Sequence, residues 1–137
     1  MPAFWVLCQN GELDEVRSEL AHGGDVNDKD YSGNTALMYA VFEKHNSIVK
    51  LLLDQPGVQI NEKNSKGWTS LHYAALSNNP EGARMLLMHP TMDSANAKDN
   101  DTAVMLAVVQ GHKEVLRELV KHQSVSLDVR NLGGNVR

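Results

Sequence analysis

The stretch that decides the fold is residues 67–75, GWTSLHYAA, which joins a turn glycine, a polar helix start and a run of small residues. The chain repeats this stretch, as GNTALMYAV at residues 33–41 and as TAVMLAV at residues 102–108. The copies lie 34 and 33 positions apart, and a fixed period of this size is typical of stacked helical repeats. The repeat, rather than overall composition, therefore sets our expectation of the fold.

A second apolar stripe follows each copy after a short polar break. Its side chains recur at spacings i, i+1, i+4 and i+5, which place them on one face of a helix. The members are Ile48, Val49, Leu52 and Leu53 in one copy, Val115, Leu116, Leu119 and Val120 in another, and Ala83, Leu86 and Leu87 in the third. Each unit is therefore predicted to be a helix–turn–helix, followed by a loop that ends in Asn27, Asn61 or Asn96.

The chain resembles the ankyrin repeat family. The resemblance rests on the Gly-x-Thr-x-Leu-His-x-Ala-Ala run at 67–75, the Ile-Val-x-x-Leu-Leu run at 48–53 and the Gly-Gly-Asp-Val-Asn run at 23–27. It implies an all-α solenoid of helix–turn–helix units with short β-hairpin loops. A single domain is expected over residues 1–137, with repeats at about 1–27, 28–61, 62–96 and 97–129 and the start of a fifth at 130–137.

The two ends of the chain are predicted to differ. Glu15 and Glu19 stand where later repeats have apolar residues such as Ile48 and Leu52. Because the terminal repeat of a solenoid needs a polar outer face, the first repeat is expected to be a cap. The fourth repeat lacks such a face, and the loop of a fifth unit follows it. We therefore expect the natural protein to continue, and the fourth repeat to fray before the middle ones.

The loop before Thr102 is two residues shorter than its counterparts. Six positions separate Asn96 from Thr102, whereas eight separate Asn27 from Thr35, and the turn glycine is absent. Two interpretations stay open, a truncated hairpin tip or the absence of two residues from the sequence.

Composition argues against several classes of protein. A length of 137 residues suits one domain, and no stretch approaches the roughly 18 apolar residues of a membrane helix. The formal net charge of −4 is mild and spread along the chain, which gives no basis for binding nucleic acid. The single cysteine, Cys8, cannot form an internal disulfide, and the N-terminus lacks a signal-peptide pattern. We expect a cytoplasmic or nuclear protein without membrane insertion.

No catalytic residue, cofactor or metal ion is expected. No two of the six histidines are three to five residues apart, and no cysteine pair exists to complete a zinc site. The repeat accounts for His45 and His112, which hold equivalent places, and the resemblance gives His72 the structural role of tying the hairpin to the helix. Cys8 lies on an apolar helix face, which indicates an inert buried thiol. The sequence thus predicts a protein without enzyme activity.

The resemblance implies that the hairpin tips and the concave side of the first helices bind a protein partner. The residues at these positions are Tyr31, Ser32, Asn34, Phe42, Glu43, Ser65, Lys66, Trp68, Leu76, Ser77, Val109 and Gln110. Aromatic side chains in a polar surround have the composition of an interface hot spot. An alternative for Trp68 is that it only covers its neighbouring hairpin. The prediction is a non-enzymatic protein-binding module, monomeric, with self-association through the C-terminal end as the alternative.

Two other functions stay open. One is an ankyrin segment of a larger enzyme, channel or signalling protein, used for targeting. The other is a small inhibitor of a kinase or of an actin-capping partner. For the latter, residues 10–16 and 24–27 are similar to the start of myotrophin, an actin-capping regulator of this size.

Overall fold

The computed structural model describes residues 3–90 and 97–122, and for residues 97–102 it describes the backbone alone. Within these ranges the chain forms four pairs of α-helices, which we number as repeats one to four. The pairs are α1 (Phe4–Asn10) with α2 (Leu13–Ala21), α3 (Ala36–Phe42) with α4 (Asn46–Leu53), α5 (Ser70–Ser77) with α6 (Pro80–Met88), and α7 (Ala97–Gln110) with α8 (Lys113–His122).

Each helix packs against its counterpart in the neighbouring repeat. The first helices follow one another in the order α1, α3, α5, α7, and the second helices in the order α2, α4, α6, α8. One core of buried side chains runs through all four repeats. The predicted all-α solenoid is therefore confirmed.

A left-handed residue joins the two helices of every repeat. It is Gly11 (φ 79°), Lys44 (φ 64°), Asn78 (φ 60°) and Gly111 (φ 73°) in repeats one to four. Such a residue ends a helix and lets the chain turn at once into the next one. These four positions align the four repeats with one another.

Side-chain caps begin two of the helices. The Thr35 hydroxyl accepts a hydrogen bond from the Met38 amide at 3.1 Å. The Asn79 side chain accepts from the Gly82 amide at 3.0 Å, and Pro80 occupies the first helical position. Both arrangements satisfy amides that have no partner inside the first turn of a helix.

The residue after each turn ties a second helix to the preceding repeat. The His45 ring contacts the Gln9 carbonyl through Nε2 at 3.0 Å, and the His112 ring contacts the Leu76 carbonyl at 3.3 Å. Asn79, at the same position in the third repeat, donates its side-chain amide to a carbonyl of α3 at 2.9 Å. Since a carbonyl only accepts, the Nε2 atoms carry the protons. These two histidines are structural.

The loops differ from the prediction in two ways. Among the described residues the hairpins contain no strand, only an isolated antiparallel bridge between Lys29 and Thr35. In the fourth repeat α7 already begins at Ala97, so a helix occupies the region where a hairpin tip was expected. The other tips turn at Gly33 (φ 80°) and Gly67 (φ 79°), and this glycine has no counterpart before Thr102. Without it the chain continues as a helix.

Some predictions fall on residues that the structure does not describe. These are the loop end predicted at Asn96 and the start of a fifth repeat predicted at 130–137. Both are outside the described residues. The boundaries given for the repeats stay a prediction.

Candidate protein-binding surface

The predicted contact residues lie in two sets, at the loop tips and at the ends of the first helices. Tyr31, Ser32, Ser65 and Lys66 are exposed at the tips of the second and third repeats. At the helix ends, Phe42 is 41% exposed, and Glu43, Val109 and Gln110 are also exposed. Asn34, Trp68, Leu76 and Ser77 are half-buried.

A small groove lies between the first helices of the second and third repeats. It measures about 150 Å³ and is lined by Asn34, Met38, Tyr39, Phe42 and Tyr73. The rings of Phe42 and Tyr73 meet edge to face, with centroids 5.8 Å apart and planes at 86°. Two predicted contact residues, Asn34 and Phe42, thus share one groove with three residues that sequence reasoning missed.

Trp68 stands beside this groove, and its ring contacts three side chains of its own repeat. It stacks on His72 with centroids 5.9 Å apart, and it meets the edge of Tyr73 at 5.3 Å. The Lys66 ammonium lies 5.8 Å from the Trp68 ring centre, within reach of a cation–π contact. Trp68 therefore covers the capping histidine of its own helix and also extends the aromatic surface.

His72 closes the start of α5. It is 1% exposed, and its Nδ1 atom accepts from the Thr69 amide at 2.8 Å. This places the ring proton on Nε2, because an acceptor nitrogen carries none. The histidine ties the loop to the helix, the role that the ankyrin resemblance implies for it.

Asp30 and Asn64 organise the tips of the second and third repeats from equivalent positions. The Asp30 carboxylate accepts from the amides of Ser32 and Asn34, both at 2.9 Å. The Asn64 side-chain carbonyl likewise accepts from the amides of Lys66 and Trp68, both at 3.0 Å. A side chain that binds its own loop in this way fixes the turn.

The same two residues anchor the tyrosines of the groove. The Tyr39 hydroxyl donates to Asp30, and the Asn64 amide donates to the Tyr73 hydroxyl at 2.7 Å. In each repeat the loop tip and the first helix are thereby locked together. The tyrosine rings keep a fixed orientation toward the groove.

Asn34 links the two tips. Its side-chain oxygen accepts from the Asn64 amide at 2.7 Å, and its own amide donates to Asp30 at 3.3 Å. The Ser65 amide adds a backbone bond to the Ser32 carbonyl at 2.8 Å. A continuous polar chain, which we call the tip network, thus runs through Tyr39, Asp30, Asn34, Asn64 and Tyr73. The Asn34 side chain is therefore hydrogen-bonded to both Asp30 and Asn64.

The charge of the tip network is set by Asp30. Burial acts to raise the pKa of this carboxyl, but hydrogen bonds from Tyr39, Asn34 and Ser32 outweigh it and hold the pKa below its ordinary value. Burial, followed by the hydrogen bond to Asp30 and its charge, raises the pKa of Tyr39 to about 12. At neutral pH Asp30 is therefore charged, and Tyr39 is a neutral donor.

The sequence does contain a signal for these missed residues. Tyr39 and Tyr73 lie 34 positions apart, as do Asp30 and Asn64. A pairing of tyrosine with Asp or Asn that recurs at the repeat period indicates a contact that each unit repeats, since one geometry serves both copies.

The described residues contain no cluster of metal-ligand side chains. None of their His, Cys, Asp and Glu side chains form a group of three that could hold a metal ion. Burial, and secondarily the charge of Asp28, raises the pKa of the fully buried Cys8 thiol to about 12. In the part of the chain that the structure describes, no helix is long and apolar enough to cross a membrane.

Comparison with known proteins matches the chain to one family. A family description of ankyrin repeats in three copies matches residues 4–99, and the single ankyrin repeat matches residues 99–132. An ankyrin repeat protein of Rickettsia bellii (strain RML369-C) is 42% identical over 48 residues, 35% of this chain and 50% of that protein. An L-asparaginase of Dirofilaria immitis is 42% identical over 50 residues, 36% of this chain and 8% of that enzyme.

The matches to these two proteins are partial. The chain covers half of the rickettsial protein and less than a tenth of the asparaginase, so neither fixes what the whole chain does. The family match is broader, since its three-copy description spans residues 4–99, and those residues contain the first three helix pairs. The chain belongs to the ankyrin repeat family, whose repeats are non-enzymatic protein-interaction modules.

Proposed function

We propose that the chain binds a protein partner through its loop tips and the concave face of its first helices, with the aromatic groove at the centre. The observation that carries this proposal is the groove itself. Phe42 and Tyr73 present rings at right angles on an open surface, and Phe42 is 41% exposed. Exposed aromatic side chains that are not needed to complete a core are characteristic of interface hot spots.

The tip network supports the same proposal. It fixes both tyrosines and both loop tips before any partner arrives. A surface that is already ordered loses little conformational entropy on binding, so more of the contact energy is expressed as affinity. The predicted contact residues at the tips, among them Tyr31 and Lys66, then form the polar rim of the interface.

The proposal includes a function without catalysis, cofactor or metal, and a place in the cytoplasm or the nucleus. The inert, fully buried Cys8 thiol agrees with a reducing compartment. The partner is a protein, and neither nucleic acid nor membrane insertion forms part of the proposal.

Selection from a random peptide library tests the proposal and does not require that the partner be identified. Peptides displayed on phage are selected on the wild-type protein and then measured on Phe42→Ala. We expect the selected peptides to lose at least about tenfold in affinity, because the variant removes one wall of the groove. Met88→Ala is the matched control, since Met88 is 65% exposed but lies at the end of α6 and does not line the groove.

Trp68→Ala is a second test variant. Because it removes the ring that stacks on His72, its urea unfolding must be measured together with its binding, so that a loss of affinity can be told apart from a loss of folding. If peptides selected on the wild type bind Phe42→Ala and Met88→Ala equally well, the groove is not the binding site. If no peptide or lysate protein is retained in a manner that depends on Phe42, the proposed function is wrong.

A targeting segment of a larger enzyme is the second candidate function. The observation that favours it is the similarity to a stretch that makes up 8% of an L-asparaginase. Under this proposal the repeats bind an anchoring protein while another part of the polypeptide acts. The full-length transcript decides it, because it shows directly whether a catalytic domain accompanies the repeats.

A further inference from the structure

Comparison of equivalent positions shows which side of each second helix faces its neighbours. Ile48 and Leu52 of α4 are 1% and 0% exposed, whereas at the same positions of α2 Glu15 is exposed and Glu19 half-buried. Within the described residues α4 has a preceding second helix and α2 has none. These positions therefore face the preceding repeat.

The opposite side of each second helix faces the following repeat. Val49 and Leu53 of α4, which α6 follows, are 0% and 7% exposed. At the same positions of α8 Leu116 is half-buried and Val120 is 44% exposed. Among the described residues nothing packs on this side of α8, and it forms an open groove of about 460 Å³ lined by Lys113, Leu116, Arg117, Val120 and Lys121. This groove has an apolar floor and three cationic side chains, of which Arg117 also pairs with Glu114 of α8 at 2.8 Å at an exposed position.

The outward side of α2 carries the opposite charge. Besides Glu15 and Glu19 it includes Glu12, which stands at the position of His45, the residue that contacts the preceding repeat. None of these three carboxylates takes part in an ion pair among the described residues. The two ends of the stack therefore present three acids on one side and three bases on the other.

We propose that the groove on α8 receives α2 of a second copy of this chain. In the relation that neighbouring repeats already have, Glu15 and Glu19 of the second copy reach Leu116 and Val120. Arg117 and the other cations of the rim then pair with the incoming carboxylates. Because the two contacting surfaces are different, each added copy leaves a new groove open, and the assembly grows head to tail.

This junction differs from those inside the stack. Inside the chain, His45 donates a hydrogen bond to a carbonyl of the preceding repeat, but Glu12 has no proton to donate at neutral pH. Apolar side chains such as Leu52 are likewise replaced by carboxylates. The junction therefore depends on charge pairs at an exposed rim, and it is expected to be reversible and to weaken as salt rises.

Charge reversal at the two ends provides the test, with the full 137-residue chain and sedimentation velocity as the measurement. The wild type is expected to show a sedimentation coefficient that rises with concentration at low salt and falls back at high salt. Glu15→Lys with Glu19→Lys, and separately Arg117→Glu with Lys121→Glu, should each weaken association at least about tenfold, because like charges then meet. An equimolar mixture of the two double variants should associate again, since their reversed ends are complementary.

The design separates the specific contact from the effect of net charge. The first double variant brings the formal net charge from −4 to zero, a change that by itself favours association. An exchange of the exposed Lys50 and Asp54 pair of α4 is the control, and it should associate as the wild type does. Circular dichroism confirms that each variant is folded. A wild type that stays monomeric, double variants that associate unchanged, or a mixture that stays monomeric would each overturn the proposal.

Discussion

The first and fourth repeats are built on the same helix pair, yet within the described residues their outward sides differ in character. The first repeat turns Glu15 and Glu19 outward, whereas the fourth turns Leu116 and Val120 outward. Of the seven large hydrophobic side chains that are exposed among the described residues, Met105, Val108, Val109 and Val120 belong to the fourth repeat. A capping repeat therefore differs from the others at a few outward-facing residues, while the residues that face the neighbouring repeat stay apolar.

The difference shows where the stability of this chain resides. Val16, on the side of α2 that faces the second repeat, and Val115, on the side of α8 that faces the third, are both 0% exposed. Each internal junction adds buried surface on both sides, whereas an end has one neighbour only. Substitutions at internal junctions should therefore cost far more than substitutions at either end.

The largest effect is expected at the internal junctions. Leu52→Ala and Leu86→Ala each remove a fully buried side chain, and each should lower the free energy of unfolding by about 2–5 kcal/mol. Val120→Ala, at the 44% exposed end position, should cost less than about 1 kcal/mol. Urea unfolding followed by circular dichroism measures all three. A loss below about 1 kcal/mol for Leu52→Ala would show that the apolar stripe does not pack between neighbouring repeats as assigned.

Thiol reactivity gives the next largest contrast between the ends. Cys8 is 0% exposed with a pKa raised to about 12, whereas Val108, at the same position of the fourth repeat, is 39% exposed. A cysteine placed there by Val108→Cys in a Cys8→Ala background should react with a disulfide reagent at pH 8 at least about a hundredfold faster than Cys8. Reaction of Cys8 should accelerate in urea as the chain unfolds. Equal rates in the native proteins would show that Cys8 is as accessible as the exposed position 108 and would contradict its burial.

Amide hydrogen exchange should reveal a smaller difference along the chain. The amides of residues 113–122 are expected to exchange roughly tenfold faster than those of residues 47–53, because within the described residues α4 packs between α2 and α6 whereas no second helix follows α8. Hydrogen exchange should be measured at low protein concentration and high salt, because any head-to-tail contact is weakest under these conditions. Equal protection under these conditions would mean that the fourth repeat is covered as well as the second.

The repeat period made most of the fold predictable. The feature that was not predicted lies where the sequence departs from this period. The spacing of 34 residues placed the helices, and the acidic residues of α2 identified the polar outward side at Glu15. The start of α7 was missed, because the sequence rule expects a loop before Thr102 and does not say what the chain does without its turn glycine.

The candidate site was only partly predictable, for a different physical reason. Phe42 and the loop tips follow from their position in the repeat. The tip network, by contrast, depends on side chains of two repeats meeting in space, as Asn64 meets Asn34 at 2.7 Å. A period shows which positions are equivalent but not which of them touch across a junction. That is why Tyr39 and Tyr73 entered the site only with the structure.

The smallest effect is expected in a comparison of the second and third repeats, which resemble each other more closely than the first and fourth repeats do. Asp30 and Asn64 hold equivalent positions, so Asp30→Asn gives the second repeat the side chain of the third. The folded chain holds the pKa of Asp30 below its ordinary 3.8, so the charged form adds stability above that value. This stability is lost as the pH falls through the lowered pKa. The loss should be less than about 1 kcal/mol, because the carboxylate lies near solvent.

Urea unfolding of wild type and Asp30→Asn from neutral pH downward measures it, and the two curves should converge in acid. A constant difference at every pH would show that the charge of Asp30 plays no part and that only its hydrogen bonds hold the tip.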